Sequence, residues 1–292
     1  MTIEKEKIVG LDAGGKSEAI IINYSSDFSK RLKGIVDDSA LQKEVVTIIG
    51  LGSGGSYFAE YLLRFGVINL NLVDFDIIEV SNICRASYSI FDIGLKKTDA
   101  LKRKLLKINP YANIKTYHEN WLNMKSSERR EIVDASSLIV EATDNHRSKI
   151  LTNSICREKL PAIYPGVYDE GKGGDIIFTI PGVTPCYECI FSSIEDQMEK
   201  NSAGWDYTTG KPISMPALCV DINVITCRAV KLALAILTYD EKEENPLFDR
   251  VTEHGCNMLF IGNEKFYIFE KPFQSVWGQT EINPACTCQT LR

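Results

Sequence analysis

The chain has 292 residues, 44% of them hydrophobic and 25% charged, and a formal net charge of −6. That is globular composition, long enough for one large or two small domains, and the acidic balance argues against a general affinity for nucleic acid. No apolar run is long enough to span a bilayer, and "MTIEKEKIVG" lacks the apolar core of a signal peptide, so the expectation is a cytoplasmic protein that does not engage membranes. Nine cysteines are many for a reducing compartment, which points to metal binding or chemistry rather than disulfides.

Ile8–Ser17, "IVGLDAGGKS", fits the phosphate-loop pattern G-x-x-x-x-G-K-[ST] through Gly10, Gly15, Lys16 and Ser17. Such a loop needs a strand before it and a helix after it. Here "EAIIINY" follows, with no helical period, so a strand–turn–strand hairpin is predicted instead. Val45–Gly50 ("VVTIIG") reads as a buried strand and Gly54–Phe65 as a helix. Leu70–Asp74 is a second strand, Lys97–Lys107 a helix stopped before Pro110, and Ile114–His118 a third strand. Leu138–Ala142 is a fourth strand, His146–Glu158 a helix, and Ala162–Gly166 and Asp175–Ile180 are further strands. Residues 192–215 are polar and predict a long surface loop. Ala217–Leu237 is a helix, and Leu259–Phe269 a late hairpin pair. Strands alternating with helices predict an α/β, Rossmann-like fold with a mostly parallel sheet flanked by helices.

The second glycine cluster, "IIGLGSGGS", has both flanks that the first lacks. Gly50, Gly52 and Gly55 follow a buried strand and open a helix, and Asp74 ends the next strand at the distance of a ribose acceptor. Alone, this pattern says only that a nucleotide binds; its structural alternative is a tight turn with close helix–strand packing. Asn82 and Arg85 in "SNICR", Lys97 in "DIGLKK" and Asp144 in "EATDN" sharpen it. A dehydrogenase does not need these groups around its nucleotide. An enzyme that cleaves ATP at the α-phosphate needs cations for the developing charge and a hard carboxylate oxygen for Mg²⁺. The bland alternative for Arg85 and Lys97 is solvated surface charge.

Cys186 and Cys189 in "PCYECI" and Cys286 and Cys288 in "PACTCQ" form two close pairs that suit a tetrahedral structural Zn²⁺. The alternative is four unrelated cysteines. His254 and Cys256 are read as ordinary residues, and Cys84, Cys156 and Cys227 as packing or unremarkable positions. Cys219, in the first turn of the late helix, is a possible nucleophile because a helix N-terminus lowers a thiol's pKa; a small buried residue on an amphipathic helix is the favoured reading.

From about Lys30 onward the chain resembles the ThiF/MoeB/HesA family, which shares its fold with the adenylation domain of ubiquitin-activating enzymes. The resemblance rests on Gly50, Gly52, Gly55, Asp74, Asn82, Arg85, Lys97 and Asp144, and it divides the chain into an extension, 1–29, and an adenylation domain, 30–292. It implies an adenylyltransferase that uses ATP and Mg²⁺ to activate the C-terminal carboxylate of a ubiquitin-like or sulfur-carrier protein, with release of pyrophosphate. It also implies a homodimer in which Lys30 or Arg31 reaches the partner subunit's ATP, although the spacing here is shorter than the family's. Ala86 stands where the family has glutamine, and C-x-C replaces the second C-x-x-C of its zinc site. Residues 192–215, the crossover loop, contain no cysteine, whereas ubiquitin-activating enzymes carry their thioester cysteine there. Some relatives adenylate short precursor peptides of natural products. Outside this class, an NAD-dependent oxidoreductase or a non-catalytic adaptor remains as a rival.

Overall fold

The structure is a computed structural model and describes residues 6–11, 17–22, 28–35, 38–192, 205–206, 211–212, 216–239 and 256–289. Among the described residues the first elements are β1 (Glu6–Leu11) and β2 (Ser17–Ile22), which pair antiparallel from Glu6↔Ile22 to Leu11↔Ser17. A strand, not a helix, therefore follows Lys16, and the "GGKS" segment lacks the helix N-terminus that a phosphate loop requires.

The main sheet is built from β3 (Val45–Ile49), β4 (Asn69–Val73), β5 (Asn113–Tyr117), β6 (Leu138–Glu141), β7 (Ala162–Tyr168) and β8 (Gly173–Thr179). Two-residue strands β9 (Trp205–Asp206) and β10 (Lys211–Pro212) pair with each other apart from it. The sheet is completed by β11 (Met258–Gly262) and β12 (Gln274–Gly278), giving eight strands in the order β12-β11-β8-β7-β6-β3-β4-β5. β5, β4, β3, β6 and β7 run parallel, while β8, β11 and β12 extend the sheet antiparallel. The sheet is thus mixed, with its parallel part as the sequence predicts. β3, β6 and β4 are buried along almost their whole length, as apolar runs in a parallel sheet must be when helices cover both faces.

Helices α1 (Ser53–Arg64), α2 (Lys97–Ile108), α3 (Ser126–Asp134), α4 (His146–Cys156), α5 (Tyr187–Ser192) and α6 (Cys219–Leu237) cover it. One core joins α1, α2 and α6 to the sheet through Phe58, Leu62, Leu101, Leu105, Ile225 and Ala233. A second core joins α3, α4 and α5 through Ile132, Val133, Cys156, Tyr187 and Ile190. The short helix α3 and the hairpin β11–β12 depart from the sequence reading. The return strand starts at Gln274 rather than within Leu259–Phe269. Phe266 and Phe269 instead pair across a tight turn, with the Phe269 ring against Gly262, where a Cβ would lie 2.3 Å from its Cγ.

The strand order places β3 between β4 and β6. The connection after β3 runs to β4 and the one after β6 runs the opposite way to β7, which sets a crevice beyond the carboxyl ends of β3 and β6, the usual ligand position in such sheets.

Candidate functional site

The loop after β3 enters that crevice. Gly50 has φ of +86°, a conformation that glycine adopts without steric cost. A Cβ there would lie 2.8 Å from Cγ2 of Thr143 and 3.0 Å from the Ala142 carbonyl, so the loop lies directly on the turn after β6. A Cβ on Gly55 would lie 1.9 Å from the Gly50 carbonyl oxygen, which explains glycine at the start of α1. Gly52 differs: nothing lies within 4 Å of its Cβ position. Its open side faces away from the protein's own atoms at the N-terminus of α1, where backbone N–H groups and the helix dipole favour an anion.

Asp74 is the hub of the loop. Its Oδ2 accepts the Leu51 N–H at 2.7 Å and its Oδ1 accepts the Asp76 N–H at 2.8 Å. Each oxygen keeps a second acceptor site, so a ribose hydroxyl can still be held. Burial raises the Asp74 carboxyl above its ordinary range, against the pull of Lys97 and the two N–H donors. The Tyr88 hydroxyl donates to the Leu51 carbonyl at 2.7 Å, so the same residue is gripped at both its N–H and its C=O. Sequence reading missed Tyr88; no motif spacing points to it.

Lys97 opens α2 and is buried, with its Nζ donating to Asp76 Oδ2 at 2.8 Å. Asn82 shapes the local backbone. Its Oδ1 accepts the Glu79 N–H at 3.0 Å and its carbonyl accepts the Arg85 and Ala86 N–H groups. It thereby builds the turn from which half-buried Arg85 projects. That segment is tied back to the loop where the Ser87 N–H donates to Ser56 Oγ at 3.0 Å. Asp144 is exposed at the turn after β6, and Asn145 caps α4 by accepting the Arg147 and Ser148 N–H groups. As a hard oxygen donor at a strand end, Asp144 fits Mg²⁺, which uses one or two carboxylates beside substrate phosphates. Lys30 and Arg31 are both exposed.

A second centre lies at the far end of the chain. The Sγ atoms of Cys186, Cys189, Cys286 and Cys288 all fall within 4.8 Å of one another, at 3.5 Å for 186–286, 3.6 Å for 189–288 and 3.7 Å for 186–189. Tetrahedral zinc, with bonds of about 2.3 Å, sets its sulfurs about 3.8 Å apart. All four cysteines are free thiols. The donor set and spacing fit a closed metal site, and the C-x-C spacing does not prevent it. Asn153 Nδ2 approaches Cys186 Sγ at 3.7 Å and Arg157 approaches Cys286 Sγ at 3.9 Å, supplying donors around the thiolates.

The other cysteines correct the sequence reading in part. Cys84 is exposed, with its thiol on the Ser81 carbonyl, and Cys227 is exposed on α6; neither is packed in the core. Cys156 is wholly buried. Cys219, the first residue of α6, is half-buried; it receives the Asn223 amide at 3.2 Å and meets the Tyr57 hydroxyl at 3.5 Å. The contact with Tyr57 ties α6 to α1, while the Asn223 contact lies within α6. Cys256 is half-buried, while His254 and most of 192–215 lie outside the described residues. Among the described residues, no helix is long and apolar enough to cross a membrane.

A sequence profile of the ThiF family matches residues 28–255. The chain belongs to the ThiF family. Among curated ThiF relatives, ubiquitin-like modifier-activating enzyme 5 of Oryza sativa subsp. japonica is 30% identical over 189 residues, which is 59% of this chain and 44% of that protein. The adenylyltransferase and sulfurtransferase MOCS3 of Drosophila virilis is 30% identical over 172 residues, 59% of this chain and 37% of its own. The chain thus spans less than half the length of these relatives. Among solved structures, E. coli MccB with AMPCPP and MccA superposes with a TM-score of 0.64 at 20% identity, covering 86% of this chain and 68% of that one. PaaA superposes with a TM-score of 0.69 at 19% identity, covering 92% and 86%. At these identities the likeness shows a shared ThiF-type fold.

Proposed function

We propose that the chain is an ATP-dependent adenylyltransferase that converts the C-terminal carboxylate of a ubiquitin-like or sulfur-carrier protein into an acyl adenylate. One observation carries this reading. The three segments that bear the candidate chemistry, Asp74–Asp76, Asn82–Tyr88 and Glu141–Asn145, all contact the one glycine loop. A dinucleotide oxidoreductase needs the loop and Asp74 but not Arg85, Lys97 and Asp144 beside them.

In the proposed reaction, a carboxylate oxygen of the partner attacks the α-phosphorus of ATP. The bond from that phosphorus to the bridging oxygen breaks, and pyrophosphate leaves with its electron pair. The carboxylate is already ionised at neutral pH, so no general base is needed. Gly52 leaves room for the phosphates and Asp74 orients the ribose. Arg85 and Lys97 stabilise the charge that builds on the phosphate oxygens. Mg²⁺ held by Asp144 would neutralise phosphate charge and align the leaving group. The four cysteines would hold a structural Zn²⁺ that fastens the C-terminal segment to α5.

The names of the relatives support the partner class. Two are activating or adenylylating enzymes in name, and the MccB structure was solved with AMPCPP and MccA. A short precursor peptide, activated by the same chemistry at its C-terminal carboxylate, is the second candidate substrate. A homodimer, with Arg31 reaching the partner subunit's nucleotide, completes the proposal, as does the division into a hairpin extension, 1–29, and the adenylation unit, 30–292. Pyrophosphate exchange into ATP tests it. Exchange stimulated by a ubiquitin-like protein or peptide with a free C-terminus, and lost in Arg85→Ala, supports adenylation. NAD binding with no exchange for any carboxylate partner overturns it.

A further inference from the structure

Glu141 ends β6 in the centre of the sheet and is wholly buried. Its neighbours Leu138, Ile139 and Val140 are apolar, and an apolar residue would fill the position without the cost of burying a carboxyl group. One of its oxygens makes two short bonds. Oε1 accepts the Thr143 hydroxyl at 2.6 Å and the Ser148 hydroxyl at 2.7 Å. Thr143 Oγ1 in turn accepts the Asn145 N–H at 3.3 Å. Asp144 is therefore bracketed: the residue before it, the residue after it and the first turn of α4 are all fixed from one buried oxygen. Thr143 also faces the other way. Its methyl carbon occupies the space beside Gly50, where a Cβ would come within 2.8 Å of it.

We propose that Glu141 is a positioning residue, which sets the Thr143–Asn145 turn and so holds Asp144 against the glycine loop. It acts by accepting hydrogen bonds, with Thr143 as the coupling element between the carboxyl group and Gly50. This inference rests on the adenylation reading for the role of Asp144 but concerns groups that touch neither substrate nor metal. Losing such an outer contact costs about 10- to 100-fold in metal affinity or activity in comparable sites.

Three variants of the full chain separate positioning from mere support. Glu141→Gln keeps an acceptor oxygen for both hydroxyls. Glu141→Leu removes it. Thr143→Val keeps the methyl group beside Gly50 and removes the hydroxyl. ATP affinity is measured by calorimetry with Mg²⁺ and again with chelator, alongside pyrophosphate exchange. The Leu and Val variants should lose about tenfold in the Mg²⁺-dependent gain in ATP affinity and in exchange kcat, with metal-free ATP affinity within about twofold of wild type. The Gln variant should recover most of the loss. The Leu/Val double variant should be no worse than the Leu variant alone, since the Thr143 hydroxyl acts through the carboxyl group that Glu141→Leu already removes. A Thr143→Val protein with a wild-type response to Mg²⁺ overturns the proposal, even if Glu141→Leu fails to fold. Equal loss of affinity with and without Mg²⁺ also overturns it, since that is what a purely structural role gives. If wild type binds ATP in a Mg²⁺-dependent way yet exchanges with no carboxylate partner, adenylation fails, while the affinity measurements still decide the role of Glu141.

Discussion

Replacing Gly55 by alanine would set a methyl carbon 1.9 Å from the Gly50 carbonyl oxygen and 3.0 Å from its carbon. Carbon and oxygen in favourable contact sit about 3.3 Å apart or more, so loop and helix must separate by about 1.4 Å. Both sides are backbone, and no rotamer change can relieve them. Overpacking of this kind costs about 3 kcal/mol, the upper end of the usual range. For a chain of this size that lowers Tm by about 6 °C. Gly52→Ala provides the contrast, because its added methyl meets no atom within 4 Å and its φ of −71° lies outside the left-handed region. Its stability should stay within about 0.5 kcal/mol of wild type, but the methyl group occupies the space a phosphate must approach. Thermal melts by circular dichroism and ATP titration of both variants give the comparison. An unchanged Tm in Gly55→Ala refutes the packing argument. Wild-type ATP affinity in Gly52→Ala refutes the placement of the phosphates.

Glu141 gives the chain a pH-dependent stability. Burial, opposed by Lys149 and the two hydroxyl donors, pushes its carboxyl from 4.5 up to about 7. The folded state therefore holds this proton more tightly than the unfolded one: stability is full below pH 4.5, falls by about 3 kcal/mol as pH rises to about 7, and is level above. Glu141→Gln should remove that slope in urea titrations at pH 5 and pH 8; a slope like that of wild type contradicts the assignment. Glu60 works in the opposite sense. Burial pushes its carboxyl up, but donors from Lys104, Ser87 and Arg64 outweigh this and bring it down to about 2. Its contribution is present above pH 4.5 and lost as pH falls toward 2, so Glu60→Gln should flatten the acid limb of the stability curve, and an unaltered limb contradicts it. Elemental analysis should find one zinc per chain, absent in Cys186→Ser, together with a lower Tm in the variant; metal-free wild type contradicts the zinc site. Lys97→Ala should reduce pyrophosphate exchange by about 100-fold, while Lys16→Ala should change it by less than about twofold. Equal loss in both would return "GGKS" to consideration as the phosphate loop.

The inner parallel strands β3, β4 and β6 were legible because they are short, mainly apolar runs, and burial on both faces demands that pattern. Val45–Ile49, Asn69–Val73 and Leu138–Glu141 lie within a residue of the expected bounds. The β11–β12 hairpin was not legible, because the Phe266–Phe269 turn lengthens the connection and β12 carries exposed Val276 as well as half-buried Trp277. Helix α3, Ser126–Asp134, buries only Ile132 and Val133 and so shows too little apolar periodicity to declare itself. At the site, Gly50, Gly52, Gly55 and Asp74 could be named from spacing alone. Tyr88 and Thr143 could not, since their contributions come from contacts with Leu51 and Gly50, far away in sequence, and Ser148 could not, since no motif spacing links its hydroxyl to Glu141. Glu141 did leave a trace: an acid closing an otherwise apolar strand. Cys84 and Cys227 show the converse limit, because a cysteine's letter does not reveal which side of a turn or helix it occupies.

The cysteine cluster joins positions 100 and 99 residues apart, Cys186 to Cys286 and Cys189 to Cys288. A metal held there would convert the linear chain into a ring that contains α6 and the hairpin β11–β12. Cleavage of one peptide bond inside the ring would leave both fragments joined through the metal even in denaturant, until the metal is withdrawn. The ring is also tolerant of growth: doubling the length of its enclosed chain would add only about 0.6 kcal/mol of closure cost. Chain inserted anywhere between Cys189 and Cys286 would therefore cost little in closure while the ends of the ring stay fastened.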